Sequence, residues 1–341
     1  MSTPTTYIEA VEATIRDLLL APRPELEPLY GMLRYHLGWA DEALRPVQAA
    51  SGKRVRPLLC LLACQAAGGE WQRAVPVAAG VELIHNFSLI HDDIEDGSRT
   101  RRHRPTVWAL WGAPQAVNAG DSMFILARLA VLQLRQTGAS PDVVAAAIEQ
   151  VEQACLRLCE GQYLDMAFEQ QAQVPLAAYM RMIEGKTAAL LACATATGAL
   201  VGGASAASQA AFRRFGNELG LAFQIVDDIL GAWGDPAVTG KPAADDIRSH
   251  KKAFPLLYAL EVSAERGDGR LASLMAQPQL SEGDVARVLA LIDEMGARER
   301  ANALAVEHTD RALAALTEAA PPSPEREALR ELALKLVERN A

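Results

Sequence analysis

Aromatic side chains are scarce in this chain: they make up 5% of its 341 residues, although half of all residues are hydrophobic and Ala and Leu are abundant. So few rings among so many small and unbranched side chains argue against sheet cores and for packed helices. No segment alternates apolar and polar residues over strand length, which leaves a sheet-based architecture without support. Cysteine is also sparse. Five are present, and Cys60/Cys64 and Cys155/Cys159 are spaced i, i+4 inside apolar helical patterns. An odd count without paired-ligand spacing excludes a disulfide framework and fits reduced core cysteines in a reducing cytosol. Positive charge is in deficit, the formal net charge being −9. That excludes an extended nucleic-acid-binding face, where nothing would offset phosphate repulsion. Met1 to Tyr7 carries no basic stretch followed by an apolar core, and no run reaches the ~18 apolar residues of a membrane span. The expectation is a soluble cytoplasmic protein with no transmembrane segment.

What is present is a long succession of helical patterns. A chain of this length can bury about three quarters of the surface its unfolded form exposes, enough for one large domain or two smaller ones. Ala21-Pro22-Arg23-Pro24-Glu25 and Pro28 mark a turn after a short N-terminal helix. From Val55 onward, apolar segments alternate with short breaks at Ala67-Gly68-Gly69, Trp111-Gly112-Ala113-Pro114, Gly138 to Pro141, Gly202-Gly203 and Gly234-Asp235-Pro236. Ser281 with Asp284, and Ser323 before Pro324, read as helix N-caps. Leu329, Leu332, Leu336 and Val337 share one face of a closing helix. The stretch from Ser263 to Gln279 is the most loop-like internal segment but is too short to divide domains. The reading is an all-α protein, a single helical domain over residues 1–341, with residues 1–28 packing on the bundle as helix and turn.

Two acidic clusters stand out against this apolar background: Asp92-Asp93-Ile94-Glu95-Asp96 and Asp227-Asp228, each closing an apolar run. A carboxylate pair beside apolar surface is costly unless a cation neutralises it, and a hard divalent metal does so well. On a helix Asp92 and Asp96 project from one face, with Asp93 beside them. Mg²⁺ takes one or two carboxylates and completes its octahedron with water and phosphate oxygens, so the spacing suits metal shared with a diphosphate. A solvated acidic helix end is the plainer alternative, and it leaves the preceding apolar residues unexplained. Gly231 is read as opening a turn after the second cluster. Cations supply the counterpart, in Gly52-Lys53-Arg54-Val55-Arg56-Pro57 and in Arg99, Arg101, Arg102 and Arg104. Carboxylates that suit hard cations, beside arginines and lysines that need no metal, describe a site for phosphate esters held in two different ways. Alone, Arg101 to Thr106 reads equally as a solvated basic loop. Company with Lys53, Arg56 and His85, the last about two turns before Asp92 on roughly the same face, favours binding.

Together these residues resemble the trans-isoprenyl diphosphate synthases, the polyprenyl synthetase family. The resemblance runs in order through Gly52 to Pro57, Glu82-Leu83-Ile84-His85, Ser88-Leu89-Ile90-His91 and the DDxxD motif Asp92 to Asp96. It continues through Arg101-Arg102, Gly120-Asp121, Gly161-Gln162 with Asp165, and Met182-Ile183-Glu184-Gly185-Lys186-Thr187-Ala188. It closes on Phe223-Gln224-Ile225-Val226-Asp227-Asp228, Gly240-Lys241 and Lys251. It implies an all-α bundle around a deep central cavity, usually a homodimer. It also implies that Asp92, Asp93 and Asp96, facing Asp227 and Asp228, hold three Mg²⁺ on the diphosphate of an allylic substrate, with Arg101, Lys186 and Lys241 completing the clamp and Lys251 among the substrate-binding residues. Isopentenyl diphosphate is then gripped without metal by Lys53, Arg56, His85 and Arg102. The implied chemistry is ionisation of the allylic C–O bond, attack by the alkene of isopentenyl diphosphate and loss of a proton, with Thr187 and Gln224 offering partial negative charge to the carbocation.

Two departures from the family pattern bear on this. Gly231 stands where the second motif has a further Asp, so Asp227 and Asp228 must suffice. His103 stands where glycine is usual after the arginine pair. For product length the resemblance points to Phe87 and Ser88, about one turn or slightly more below the acidic motif, with the Phe87 ring as cavity floor and geranylgeranyl diphosphate as product; farnesyl diphosphate is the second choice. A class I terpene cyclase would have little use for the metal-free cations. A His91-Asp92 phosphohydrolase would leave the second acidic cluster unexplained, and a non-catalytic subunit of a synthase heteromer is favoured only by Gly231.

Overall fold

Runs of apolar residues with helical spacing fill most of the sequence, and nearly every one becomes a helix. The computed structural model describes residues 4–49, 52–171, 173–234 and 244–338. Two compact units are formed, one from Met1–Glu152 and Cys193–Gln209, the other from Gln153–Ala192 and Ala210–Ala341. Their boundaries fall inside three helices, Pro141–Glu169 (α7), Ala189–Val201 (α9) and Ala206–Trp233 (α10).

The first unit is built from Pro4–Leu18 (α1), Glu27–His36 (α2), Val55–Ala66 (α3), Val75–Glu95 (α4), Val107–Trp111 (α5) and Ala113–Leu132 (α6). α4 is its axis. Its apolar residues go all the way round, as a buried helix requires, and it packs most extensively on α6 and also on α3 and α1. The stretch Ala113–Thr137, which includes α6, is the one described segment long and apolar enough to cross a membrane. Its Ala119, Met123, Ala127, Ala130 and Val131 are buried in this unit, whereas Val117, Ile125 and Leu129 are exposed.

Glu82, a lone acid in the apolar run of α4, is 3% exposed and accepts from Arg54 Nη1 at 2.7 Å and from Asn86 Nδ2 at 2.8 Å. Arg54 is itself 3% exposed, takes a left-handed φ of 51° ahead of α3, and reaches Glu12 of α1 at 3.3 Å. The basic loop is therefore fastened by one arginine of its own.

The sequence suggested no strand, and there is a small hairpin: Thr100–Arg101 (β1) pairs antiparallel with Arg104–Pro105 (β2). Two-residue strands are too short to show a period. The turn residues Arg102 and His103 both have positive φ, 51° and 62°, as two-residue hairpin turns demand. His103 thus occupies a backbone conformation that favours glycine, which is where the family pattern has one; histidine tolerates it better than a branched residue would. Arg104 pins the hairpin to the end of α2, donating to Tyr35 O at 3.1 Å and Ala40 O at 2.6 Å while its guanidinium lies 4.0 Å over the Tyr35 ring.

The second unit contains Leu176–Ile183 (α8), a π-helical turn at Glu184–Ala188, most of α10, Asp245–Arg248 (α11), Phe254–Glu265 (α12), Arg270–Met275 (α13), Glu282–Glu294 (α14), Ala297–Ala319 (α15) and Pro324–Val337 (α16). One apolar cluster joins Tyr179, Met182, Ile225, Phe254 and Leu304; another joins Ile247, Leu256, Leu271, Val288 and Ile292. Ser281 and Asp284 form a capping box, and Ser323 Oγ accepts from Arg326 N at 3.0 Å. Gly231 does not open a turn: α10 continues through it to Trp233.

Removing one partner of a buried ion pair strands the other charge. Glu82→Ala is therefore expected to cost about 3–5 kcal/mol of stability, read as a lowered urea midpoint, while Lys53→Ala in the same loop, at an exposed position, should stay within about 0.5 kcal/mol of the parent.

Candidate active site

α4 carries the first acidic motif to its C-terminal end, and the three aspartates there are not equivalent. Asp93 is 1% exposed, whereas Asp92 is half-buried and Asp96 exposed. Asp93 Oδ1 accepts from Arg101 Nε at 2.8 Å; its Oδ2 is buried without a hydrogen-bond partner among the described residues. Burial pushes this carboxyl up to about 6 against the pull of Arg101. Arg101, expected in the diphosphate clamp, is thus ion-paired to the middle aspartate.

The cations expected to hold a metal-free diphosphate do gather in the first unit. Burial lowers the His85 pKa well below the ordinary histidine value, and the charges of Arg56, Arg102, Arg101 and His36 lower it further. Arg102 lies against Gly52, where an added Cβ would stand 2.9 Å from Nη2. Desolvation lowers the pKa of both Arg56 and Arg102. Buried Arg54 Nη2 and Arg56 Nε have no acceptor among the described residues. Lys53 is exposed at the edge of this set. His36, which the sequence reading missed, is held at about 3 by burial and then by Arg101, Arg102 and Arg54. It helps line a small cleft, with a cavity volume of about 20 Å³, together with Tyr35, Asp93, Arg101 and Arg102. Crowded, partly dehydrated cations with unused N–H donors are suited to an anion.

Below the motif, the Phe87 ring packs 4.8 Å from Phe124 of α6 and edge-on at 5.8 Å to His91. Ser88 Oγ donates to His85 O at 2.9 Å, back into its own helix.

In the second unit the π turn carries Lys186 and Thr187. π-helical turns re-aim side chains and recur at functional sites. α7 approaches so closely that a Cβ on Gly161 would overlap Lys186 N and stand 2.7 Å from its Cα. That approach sets Lys186 Nζ 2.5 Å from Asp165 Oδ2. Thr187 Oγ1 donates to Gln224 Oε1 at 2.7 Å, and Gln224 Nε2 donates to Asp228 Oδ1 at 3.0 Å. Asp228 is 1% exposed; its Oδ2 accepts from the Tyr179 hydroxyl and from Phe254 N, at the start of α12, at 2.8 Å. Burial raises its carboxyl to about 6. Its neighbour Asp227 is exposed. Burial alone would lower the Lys251 pKa, but Asp246, Asp228, Asp227 and Asp165 reverse this and raise it. Lys241 lies outside the described residues.

Among the described residues no three acidic, imidazole or thiolate groups converge enough to hold a metal by themselves. The donor chemistry still fits Mg²⁺, which needs only one or two carboxylates when phosphate oxygens complete its shell. Asp93 Oδ2 is an unused buried acceptor, and in the second unit Asp165, Asp227, Asp228 and Asp246 crowd around Lys251.

The sequence pattern of the polyprenyl synthetase family matches residues 38–292. The chain belongs to the polyprenyl synthetase family. As a member of it, the chain is a prenyltransferase. It is 44% identical to a geranylgeranyl diphosphate synthase of Mycobacterium tuberculosis, over 90% of this chain and 86% of the relative. It is 40% identical to a (2E,6E)-farnesyl diphosphate synthase of Mycobacterium bovis, over 98% and 91%. The crystal structure of a polyprenyl synthetase from Streptomyces coelicolor superposes with a TM-score of 0.88 at 36% identity, covering 98% of each chain. The fold is thus the helical isoprenoid synthase fold.

Tyr179, Arg54, Glu82, His36 and Asp246 escaped the sequence reading as participants. A lone Glu in the apolar run before His85 was the available signal for Glu82; Tyr179 reads as ordinary helix core.

The raised Asp228 carboxyl means that the folded protein holds this proton more tightly than the unfolded chain, so burying Asp228 weakens folding above about pH 6 and less so as pH falls. The Tyr179 hydrogen bond favours the charged form and therefore acts only above that pH. Tyr179→Phe is expected to lose about 1.5–3 kcal/mol near pH 8 and much less near pH 5. A loss that does not vary between those pH values in urea titrations would contradict the assignment.

Proposed function

We propose that this prenyltransferase condenses isopentenyl diphosphate with an allylic diphosphate, head to tail (1'-4), to a short all-trans prenyl diphosphate, with geranylgeranyl diphosphate as product. The observation that carries this reading is the carboxylate-poor cluster of Arg56, His85 and Arg102, with Lys53 at its edge, directly beside an acidic motif in the first unit. A prenyl cyclase acting on one diphosphate has no use for such a cluster. The similarity to synthases named for farnesyl and geranylgeranyl products supports a short chain.

In this proposal Lys53, Arg56, His85 and Arg102 bind the diphosphate of isopentenyl diphosphate. His85, kept neutral by burial and then by its cationic neighbours, donates a hydrogen bond without adding charge to a cluster already crowded with it. Lys186 and Lys251, with Arg101 and Lys241, neutralise the allylic diphosphate. Asp92, Asp93, Asp96, Asp227 and Asp228 form the metal side for three Mg²⁺, the metal that polyprenyl synthases generally use. Asp92, Asp96 and Asp227 are the outward carboxylates, while Asp93 and Asp228 hold their surroundings in place. Mg²⁺ when bound supplies Lewis-acid stabilisation of charge on the leaving diphosphate. As the allylic C–O bond breaks, Thr187 Oγ1, whose hydrogen is committed to Gln224, turns its lone pairs to the growing cation. The alkene then forms the new C–C bond, and the proton lost goes to diphosphate.

The remaining parts of the reading are these. The two units act as one domain, since their boundaries fall within helices and one family match runs through both. A homodimer is supported by exposed apolar residues at helical spacing, Val117, Ile125 and Leu129 on α6 and Leu156, Tyr163 and Met166 on α7. Five cysteines outside any disulfide suit a cytoplasmic, reducing compartment.

Purified chain incubated with dimethylallyl, geranyl or farnesyl diphosphate, each with and without isopentenyl diphosphate, tests the function by mass-resolved product analysis. Extension only in the presence of isopentenyl diphosphate is expected; cyclic product without it, or no turnover by the chain alone, defeats the reading. Asp92→Ala should abolish condensation. Phe87→Ala should shift product to longer chains, and an unchanged length would remove Phe87 as the floor.

A further inference from the structure

A cavity of about 680 Å³ opens in the second unit between α12, α13 and the stretch that leads into α8. Its volume falls within the about 300–1,000 Å³ of small-molecule sites. The wall is mostly apolar, with Val174, Pro175, Leu256, Leu260, Ala272 and Met275 on it. Gly269 also lines it, and a Cβ built there would meet nothing within 4 Å. Three of the polar side chains that line the cavity are already engaged. Ser263 Oγ donates to Asp268 O. Glu261 Oε1 accepts from Leu176 N, at the start of α8, at 2.8 Å. The Asp268 carboxylate accepts from Arg270 Nη2 at 2.6 Å. Lys252 differs from these. It is half-buried and has no ion pair among the described residues, and burial lowers its pKa with no carboxylate to oppose the shift. Its neighbour Lys251 is spent on the acidic side, 3.8 Å from Asp246 Oδ2. Lys252 stands two residues ahead of α12, at the helix end that favours negative charge. Glu261 lies about two turns into that helix, and Asp268 beyond its last residue. The cavity thus has one cationic end and an apolar body.

We propose that this cavity binds a long-chain aliphatic monocarboxylate, with its head group on Lys252 and its chain along the apolar wall of α12 and α13. A partly dehydrated ammonium without a counter-charge gains most from an anion that forms a charge-assisted hydrogen bond, and the apolar wall gains from a hydrocarbon chain. One lysine matches one negative charge. A prenyl diphosphate would bring several charges to that single cation, in a cavity that Glu261 and Asp268 also line. The proposal does not depend on the diphosphate reading of the active site, since none of the residues assigned to that site lines this cavity.

The test is calorimetric titration with dodecanoate and with dodecanol, which has the same chain without the charge. Saturable binding of dodecanoate is expected, weakened about 10-fold by Lys252→Gln and retained by Lys252→Arg, while dodecanol should bind the parent and Lys252→Gln equally. Gly269→Leu, which puts a side chain into the open space, should remove binding of both ligands; Lys252→Gln carries the test where that variant folds poorly. Equal dodecanoate affinity in the parent, Lys252→Gln and Gly269→Leu would place the ligand elsewhere on the protein and overturn the proposal, as would the absence of saturable binding. Geranylgeranyl diphosphate, added without Mg²⁺, should leave bound dodecanoate in place. Competitive displacement would make the occupant a diphosphate and overturn the assignment to a monocarboxylate.

Discussion

Burying one carboxylate of each aspartate pair is the constraint on which the order of each acidic cluster depends. Asp93 and Asp228 are each 1% exposed, and a charged carboxylate at such depth must be compensated where it stands. Asp93 takes Arg101. Asp228 takes Tyr179, Gln224 and the backbone N–H that begins α12, a position where the helix end itself favours negative charge. These bonds fix the stretches of α4 and α10 that carry Asp92 and Asp227. Both inner carboxyls are raised to about 6, so burial outweighs their partners in each case and leaves each pair with a reserve of attraction for a further cation.

The cationic side follows the opposite logic. Arg54 is ion-paired within the protein to Glu82 and Glu12, and this draws those two carboxylates to Arg54, whereas Arg56 has no ion pair among the described residues. Were every arginine of the loop paired, no charge would be left for a ligand; were none paired, the loop would not hold against its own repulsion. His36 and His85 are driven toward the neutral form first by burial and then by the guanidinium groups around them. A diphosphate relieves the crowding, which is why such a cluster costs stability when empty and gains affinity when filled.

Helices, their caps and the acidic motifs were legible because each rests on local rules: apolar spacing, Ser–Asp caps, carboxylates at the end of apolar runs. What stayed illegible depends on partners distant in sequence. Nothing in Gly52 to Pro57 says that Arg54 turns inward to an ion pair while Lys53 stays exposed; that is decided by Glu82. Gly231 looked like a helix stop by propensity, yet α10 runs through it, and the space beside it is filled by Asp246. The hairpin at Thr100 to Pro105 was hidden because two-residue strands have no period and because His103 holds a conformation that a glycine would have advertised.

The wall below the acidic motif shows a different use of packing. Phe87 rests on Phe124, and the far side of Phe124 is covered by the Arg128 guanidinium, 3.3 Å from the ring centroid. Arg128 is in turn held by Glu152 at 2.6 Å. On the proposed floor role of Phe87, a smaller side chain at this position would leave the Phe124 ring as the next apolar surface behind it, and how far the gap stays open depends on how well the neighbouring side chains can close it.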